Sequence, residues 1–185
     1  ICAYYYYTNA RLQEKQILEN ASSNIDYIQS NINRMLMRCE EFSDKIYFDD
    51  QITKILTRAY DSSKHYYNLD GDLVDAISNI SLYLDNDIIS QYIRGIVIRG
   101  NNGNQIKYGE DADYIDIEQL TAMEWFQENK DNDHVKWSSM IENDSPVSQD
   151  KYQIPFVRKM ISIYTGKNVG WLFVSISPSI IEDVV

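Results

Sequence analysis

LENASSNIDYIQSNINRMLMRCEEFSDKI, residues 18–46, is the stretch on which the fold turns. Leu18, Ala21, Ile25, Ile28, Ile32, Met35, Cys39, Phe42 and Ile46 recur at alternating spacings of three and four. That rhythm, held over about four heptads, puts all of them on one narrow apolar stripe of a single helix. At about 1.5 Å per residue, a helix over residues 9–48 runs on the order of 60 Å. A small globular domain needs less, so this helix spans something or joins two things.

Upstream of the seam the chain reads Ile1-Cys2-Ala3-Tyr4-Tyr5-Tyr6-Tyr7 before turning polar at Thr8-Asn9. Tyrosine rings gather where a helix leaves the hydrocarbon of a bilayer, and a full crossing takes about 20 apolar residues. The stretch reads either as the outer end of a membrane helix or as an aromatic tail lying on the domain.

Downstream, the pattern loosens at Asp49-Asp50 and resumes with Ile52, Ile55, Leu56 and Ala59, a short helix after a bend. Residues 61–72 (DSSKHYYNLDGD) are turn-like. Leu73, Ile77, Ile80 and Leu84 return to helical spacing. The period then changes. Residues 92–99 are β-rich, Gly100-Asn101-Asn102-Gly103 is a hairpin turn, and residues 105–108 form the return strand. Residues 113–129 read as a loop and a helix carrying Ile117, Leu120, Trp125 and Phe126, followed by a short strand at His134-Val135-Lys136-Trp137 and a polar loop over 142–151. Residues 154–164 and 170–177 form a second hairpin about Thr165-Gly166-Lys167-Asn168. Ile154, Phe156, Met160 and Tyr164 fall on one side of the first of these strands, and Val157, Ile161 and Ile163 on the other. Pro178 stops the last strand, and Ser179 is placed to cap a terminal helix. The fold class is therefore α+β, a long N-terminal helix packed on one antiparallel sheet.

Composition excludes several functions. The 185 residues are 44% apolar, enough for a real core, and carry 28 acidic against 17 basic side chains for a net charge of −11. Nucleic acid is excluded as a partner, because phosphate binding needs clustered Lys and Arg. Cys2 and Cys39 lie 37 positions apart on the same helix, on the order of 55 Å, so they cannot pair. Cys39 reads as a small core residue.

Taken in order, the aromatic N-terminal segment, the long helix, the hairpin with its NG turn, the helix bearing Trp125-Phe126 and the closing GKNVGWLFVSIS hairpin resemble the extracytoplasmic Cache domains. These are PAS-like sensor modules of bacterial membrane receptors. The nearest likeness is to the sensor regions of YesM-like histidine kinases, on residues 96–103, Trp137 and residues 158–176. The resemblance implies residues 1–8 as the end of a membrane-exit segment, 9–60 as the long helix and its continuation, 61–178 as the sensor domain and 179–185 as the start of a connecting helix. It implies a small-molecule ligand or a partner protein as the signal, attachment to the membrane through flanking helices, and a kinase lying outside this chain. The narrow stripe of the long helix, which a second stripe answers, adds a homodimer in the intact receptor. Alternatives are the sensor of a chemoreceptor or cyclase, or an interaction module that binds no small molecule.

Catalytic patterns are missing from the sequence. His65 and His134 stand apart without metal-ligand spacing. Asn68-Leu69-Asp70-Gly71-Asp72 lacks the first and last ligands of a calcium loop, and Glu110-Asp111-Ala112-Asp113 reads as a solvated charge run. No cofactor is expected. Candidate ligand-binding residues are Trp125, Phe126, Trp137, Tyr108, Arg158 and Ser175, large aromatics and polar anchors of the kind that line small-molecule sites; Arg158 can equally pair with a neighbouring carboxylate. In amino-acid-binding Cache domains an Arg on the Trp helix and an Asp in the last strand hold the ligand. Met123-Glu124 and Ser175 stand in those places here, so the resemblance argues against an α-amino acid.

Overall fold

The computed structural model describes the backbone of residues 2–59 and 66–183 and the side chains of 11–59 and 69–183. Helix α1 (Cys2–Tyr47) is continuous through the entire seam, on the order of 70 Å at helical rise. Its two halves differ. Met35, Cys39, Phe42 and Ile46 are buried against the domain, whereas Leu18 is 64% and Ile25 63% exposed. No helix among the described residues is long and apolar enough to cross a membrane.

The chain bends at Asp49, and the bend is built from one carboxylate. Asp49 Oδ1 accepts from the amides of Gln51 and Ile52 at 2.7 and 3.0 Å, capping α2 (Asp50–Thr57). Its Oδ2 accepts from Asn79 Nδ2 at 2.9 Å and the Tyr83 hydroxyl at 2.6 Å, which ties the corner to α3 (Tyr66–Leu84). Helix α3 begins earlier than the turn-like composition of 61–72 predicts. Leu69 and Leu73 pack on the core with Ala76, Ile80 and Leu84, so the three-four stripe starts at Leu69 and overrides the local turn propensity of Asn68–Asp72. Asp72 is anchored by Lys54 at 2.5 Å and Arg58 at 3.6 Å. Residues 61–65 of that stretch, His65 included, lie outside the described residues.

Strands β1 (Ile93–Gly100), β2 (Gln105–Tyr108), β3 (Lys136–Trp137), β4 (Ile141–Glu142), β5 (Tyr152–Ile161) and β6 (Asn168–Ile176) form one antiparallel sheet. Its order is β2-β1-β6-β5-β3, with β4 also on the β5 edge. Both expected hairpins form, and β6 fills the centre between β1 and β5. At the first hairpin Gly103 takes φ +90°, where only glycine sits without strain. Asn102 reaches back to donate to the carbonyls of Ile55 and Arg58 at 2.9 Å each, closing the open C-terminal end of α2. Strand β5 ends at Ile161, so Ile163 and Tyr164 are exposed turn residues and not members of its faces.

The expected single helix after β2 is two, α4 (Ile117–Ala122) and α5 (Glu124–Asn129), with Met123 extended between them. The break has a geometric reason. Nine residues of continuous helix would turn Phe126 to the side opposite Ile117, yet both pack on the same sheet face. Pro178 ends the last strand and α6 (Ser179–Glu182) follows; the hydroxyl that accepts from its first amide belongs to Ser177, at 3.2 Å, not to Ser179.

Candidate functional site

Strand alternation divides the central sheet into two faces. Phe156, Met160, Leu172, Val174 and Ile176 point to α1, α2 and α3 and form the main core. Val97, Val157 and Phe173 point the other way, into a smaller core covered by Ala112, Ile117, Leu120 and Phe126. A concave site belongs on this second face, because short helices and loops cover it incompletely.

Among the described residues two hollows lie there. A cavity of about 150 Å³ sits between α4 and the β4–β5 edge. Tyr114, Ile115, Asp116, Gln119, Leu120 and Met123 form one wall, and Ile141, Glu142, Asp144 and Gln153 the other. A cavity of about that volume holds a benzene-sized molecule. The second hollow, about 330 Å³, is a groove beside the first hairpin lined by Arg99, Glu118, Thr121, Trp171 and Phe173 among others.

The walls of the smaller cavity are fixed from behind. Asp116 Oδ1 accepts from the Gln119 amide at 2.9 Å, capping α4. Trp125 Nε1 lies 3.3 Å from Met123 Sδ, and Phe126 packs edge-on against Trp171 at 4.9 Å. Across the cavity, the Ser175 hydroxyl donates to Gln153 Oε1 at 2.5 Å. The loop after β4 is held by buried Asp111, which accepts from Ser145 Oγ at 2.6 Å and Asn143 Nδ2 at 3.2 Å. Arg94 Nε donates to Asp150 Oδ2 at 2.6 Å. Burial alone would raise the Asp150 pKa, but hydrogen bonds from Arg94 and Ser177 and the guanidinium charge outweigh it and hold the carboxyl below its ordinary value.

None of the six candidate ligand residues lines either hollow. Phe126 and Ser175 are buried and Trp125 half-buried on the same side of the sheet as the cavity, behind its lining, as supports for the aromatic cluster, Gln153 and Met123. Tyr108 and Trp137 pack on the helix-side core, Trp137 with its ring 4.8 Å from Phe156. Arg158 is on that side too. It bonds Ser43 Oγ at 2.7 Å, pairs with Asp44 and lies 4.5 Å over the Tyr47 ring. The pairing read as an alternative for Arg158 is thus the arrangement found, and it welds β5 to α1. His134 is exposed. In the acidic run, Asp111 turns inward and Asp113 bonds Lys107 at 3.0 Å; among the described residues no three acidic, His or Cys side chains group so as to hold a metal ion.

The cavity residues missed in the sequence are short-range neighbours of turns and loops: Tyr114, Asp116, Gln119, Glu142, Asp144 and Gln153. Only Asp116, as a helix cap before Ile117, carries a local signal.

No family model and no curated relative matches the chain. Solved structures share its fold. The sensory domain of the Campylobacter jejuni chemoreceptor Tlp3, with isoleucine bound, superposes with a TM-score of 0.61 at 16% identity, over 92% of this chain and 63% of that one. The extracellular domain of vpHK1S-Z8, assigned as a histidine kinase, gives 0.66 at 12% identity over 92% and 62%. A sensory box/GGDEF family protein of Vibrio parahaemolyticus gives 0.60 at 12% identity over 86% and 59%. This chain therefore has the mixed helix and antiparallel-sheet fold of receptor sensory domains, and it spans less than two thirds of the length of these neighbours.

Proposed function

We propose that this chain is the extracytoplasmic ligand-sensing part of a membrane-bound sensor histidine kinase. The carrying observation is the cavity on the sheet face away from α1, in a fold shared with sensory domains of receptors. A ligand there would press on Gln153 and, through Ser175, on β6, which leads into α6 with only Ser177 and Pro178 between. A coupling of about 1–3 kcal/mol suffices to change output 5- to 150-fold. The Tlp3 sensory domain holds isoleucine, but no Lys, Arg or His lines this cavity to meet an α-carboxylate. The ligand is accordingly a different small molecule.

A dimer in the intact receptor belongs to the same reading. The exposed upper stripe of α1, Leu18 and Ile25, continues the spacing of its buried half, and such a stripe is matched by a second copy in parallel.

Thermal melting of the domain against a library of sugars, organic acids, peptides and amines tests the sensing role. A ligand at 100 times its Kd adds about 2.7 kcal/mol, a shift of several degrees. A library without a single shift removes it. Radiolabelled ATP added to the full-length receptor in membranes then separates kinase from chemoreceptor: the kinase reading requires a phosphorylated histidine.

A further inference from the structure

Resting on the sensing role above, we propose that the cavity between α4 and β4 takes a small organic cation, a primary amine or diamine on a short hydrocarbon body. Three carboxylates, Asp116, Glu142 and Asp144, line it, and no basic side chain does. Several other acids on the domain are met by partners: Asp72 by Lys54 and Arg58, Asp150 by Arg94 and Asp87 by Arg38, while buried Asp49 and Asp111 accept hydrogen bonds from Asn79, Tyr83, Ser145 and Asn143. Among the described residues Glu142 and Asp144 have no cation, and Asp116 uses one oxygen on the Gln119 amide.

The rest of the lining selects the kind of cation. Ile115, Leu120, Met123 and Ile141 contribute apolar wall, and the carboxylates are not grouped as a metal site. A bare metal ion would leave that wall uncovered and the carboxylates out of coordinating reach. An ammonium on a hydrocarbon chain meets both parts: charge-assisted hydrogen bonds to carboxylate oxygens and apolar contact over the remainder. The volume of about 150 Å³ limits the body to roughly the size of benzene. Because the three carboxylates are exposed at the mouth, they also draw cations toward it, an attraction that salt weakens.

The test is a set of compounds with one carbon skeleton and different charge: pentylamine and 1,5-diaminopentane, pentanol, pentanoate and pentanedioate. Melting temperature and calorimetric affinity are measured on the purified domain and on the Glu142→Gln/Asp144→Asn variant, whose own melting temperature checks its fold. The amines should raise the melting temperature by several degrees, bind at least tenfold more weakly to the variant, and weaken as salt rises from 50 to 300 mM. Tighter binding of pentanol or of the acids overturns the cation class and leaves a ligand-binding domain standing. Amine binding that is unchanged in the variant also overturns it, because the amines are then held elsewhere on an acidic surface. Silence from this set alongside a hit elsewhere in the wider library refutes the amine; silence from both removes the sensing role with it.

Discussion

Arg94 and Asp150, 56 residues apart in sequence, meet at 2.6 Å and fasten the loop beside the cavity to the first strand of the sheet. Asn143 adds a bond from its side chain to the Asp150 carbonyl at 3.2 Å, and the Ser177 hydroxyl supports the Asp150 charge from the threshold of α6. Asp150 thus ties the cavity loop to the sheet through its side chain and carbonyl, and its charge is supported by Ser177, two residues before the exit helix.

Acid should loosen this junction. The Asp150 pKa is lower folded than unfolded, so its stabilising contribution is complete above the unfolded value and is lost as pH falls through the folded one. Asp150→Asn should cost about 1–3 kcal/mol at neutral pH and flatten the acid limb of a melting-temperature profile between pH 5 and 2. An unchanged acid limb would show that other carboxylates govern it.

Alkali should act in the opposite sense through two protons. Burial, then the charges of Asp87 and Glu40, push the Cys39 thiol from 9.0 up to about 12. Burial, then the hydrogen bond and charge of Asp49, push Tyr83 from 10.0 up to about 12. Both hold their proton more tightly when folded, so the stability they add is complete below the unfolded values and is lost as pH rises toward 12. Tyr83→Phe should reduce the fall in melting temperature above pH 10. Peptide mapping after alkylation at pH 8 should find Cys39 unmodified in the native domain and modified in urea.

Asp49→Ala should be more damaging than an ordinary cap loss. It removes the cap of α2 and leaves Asn79 and Tyr83 without their acceptor. A cost of at least about 2 kcal/mol, the upper end for caps, is expected from urea titration. Asp49→Asn, which keeps acceptor oxygen but not charge, should recover part of it.

Arg158 and Gln153 should separate stability from ligand response. Arg158→Lys keeps the charge but loses the planar contact with Tyr47 and the fixed fork toward Asp44 and Ser43. It should lower the melting temperature and leave ligand affinity intact. Gln153→Ala, on the cavity wall, should weaken ligand affinity, the readout that Arg158→Lys leaves alone, and also lower the melting temperature, because the buried Ser175 hydroxyl loses its acceptor. A ligand response lost in Arg158→Lys at full stability would place the site on the helix side of the sheet.

Cysteines introduced as Ile25→Cys in the full-length receptor should cross-link into dimers in membranes, because that residue is exposed on the continuing stripe. Failure there and at Ile28→Cys would leave α1 to another partner.

Local sequence rules were enough wherever a period ran unbroken. The spacing of Leu18 to Ile46 specifies a straight helix because every 3.6 residues brings the chain back to one face. The Asn-Gly turn and the alternation in β5 and β6 specify antiparallel hairpins for equally local reasons. Which sheet face a residue serves is a different matter. Trp137 and Arg158 looked available for a ligand, but register with Phe156 and proximity to α1 turned both toward the main core. Register is a relation between strands, and neither strand carries it alone. The break at Met123 and the early start of α3 were likewise decided by packing, which favoured burying Phe126 and Leu69 over continuing or delaying a helix. The cavity itself joins residues 114–123 to 141–153 across the edge of β5. Its polar members obey no period, so only the folded chain, by bringing two loops to one rim, makes a site of them.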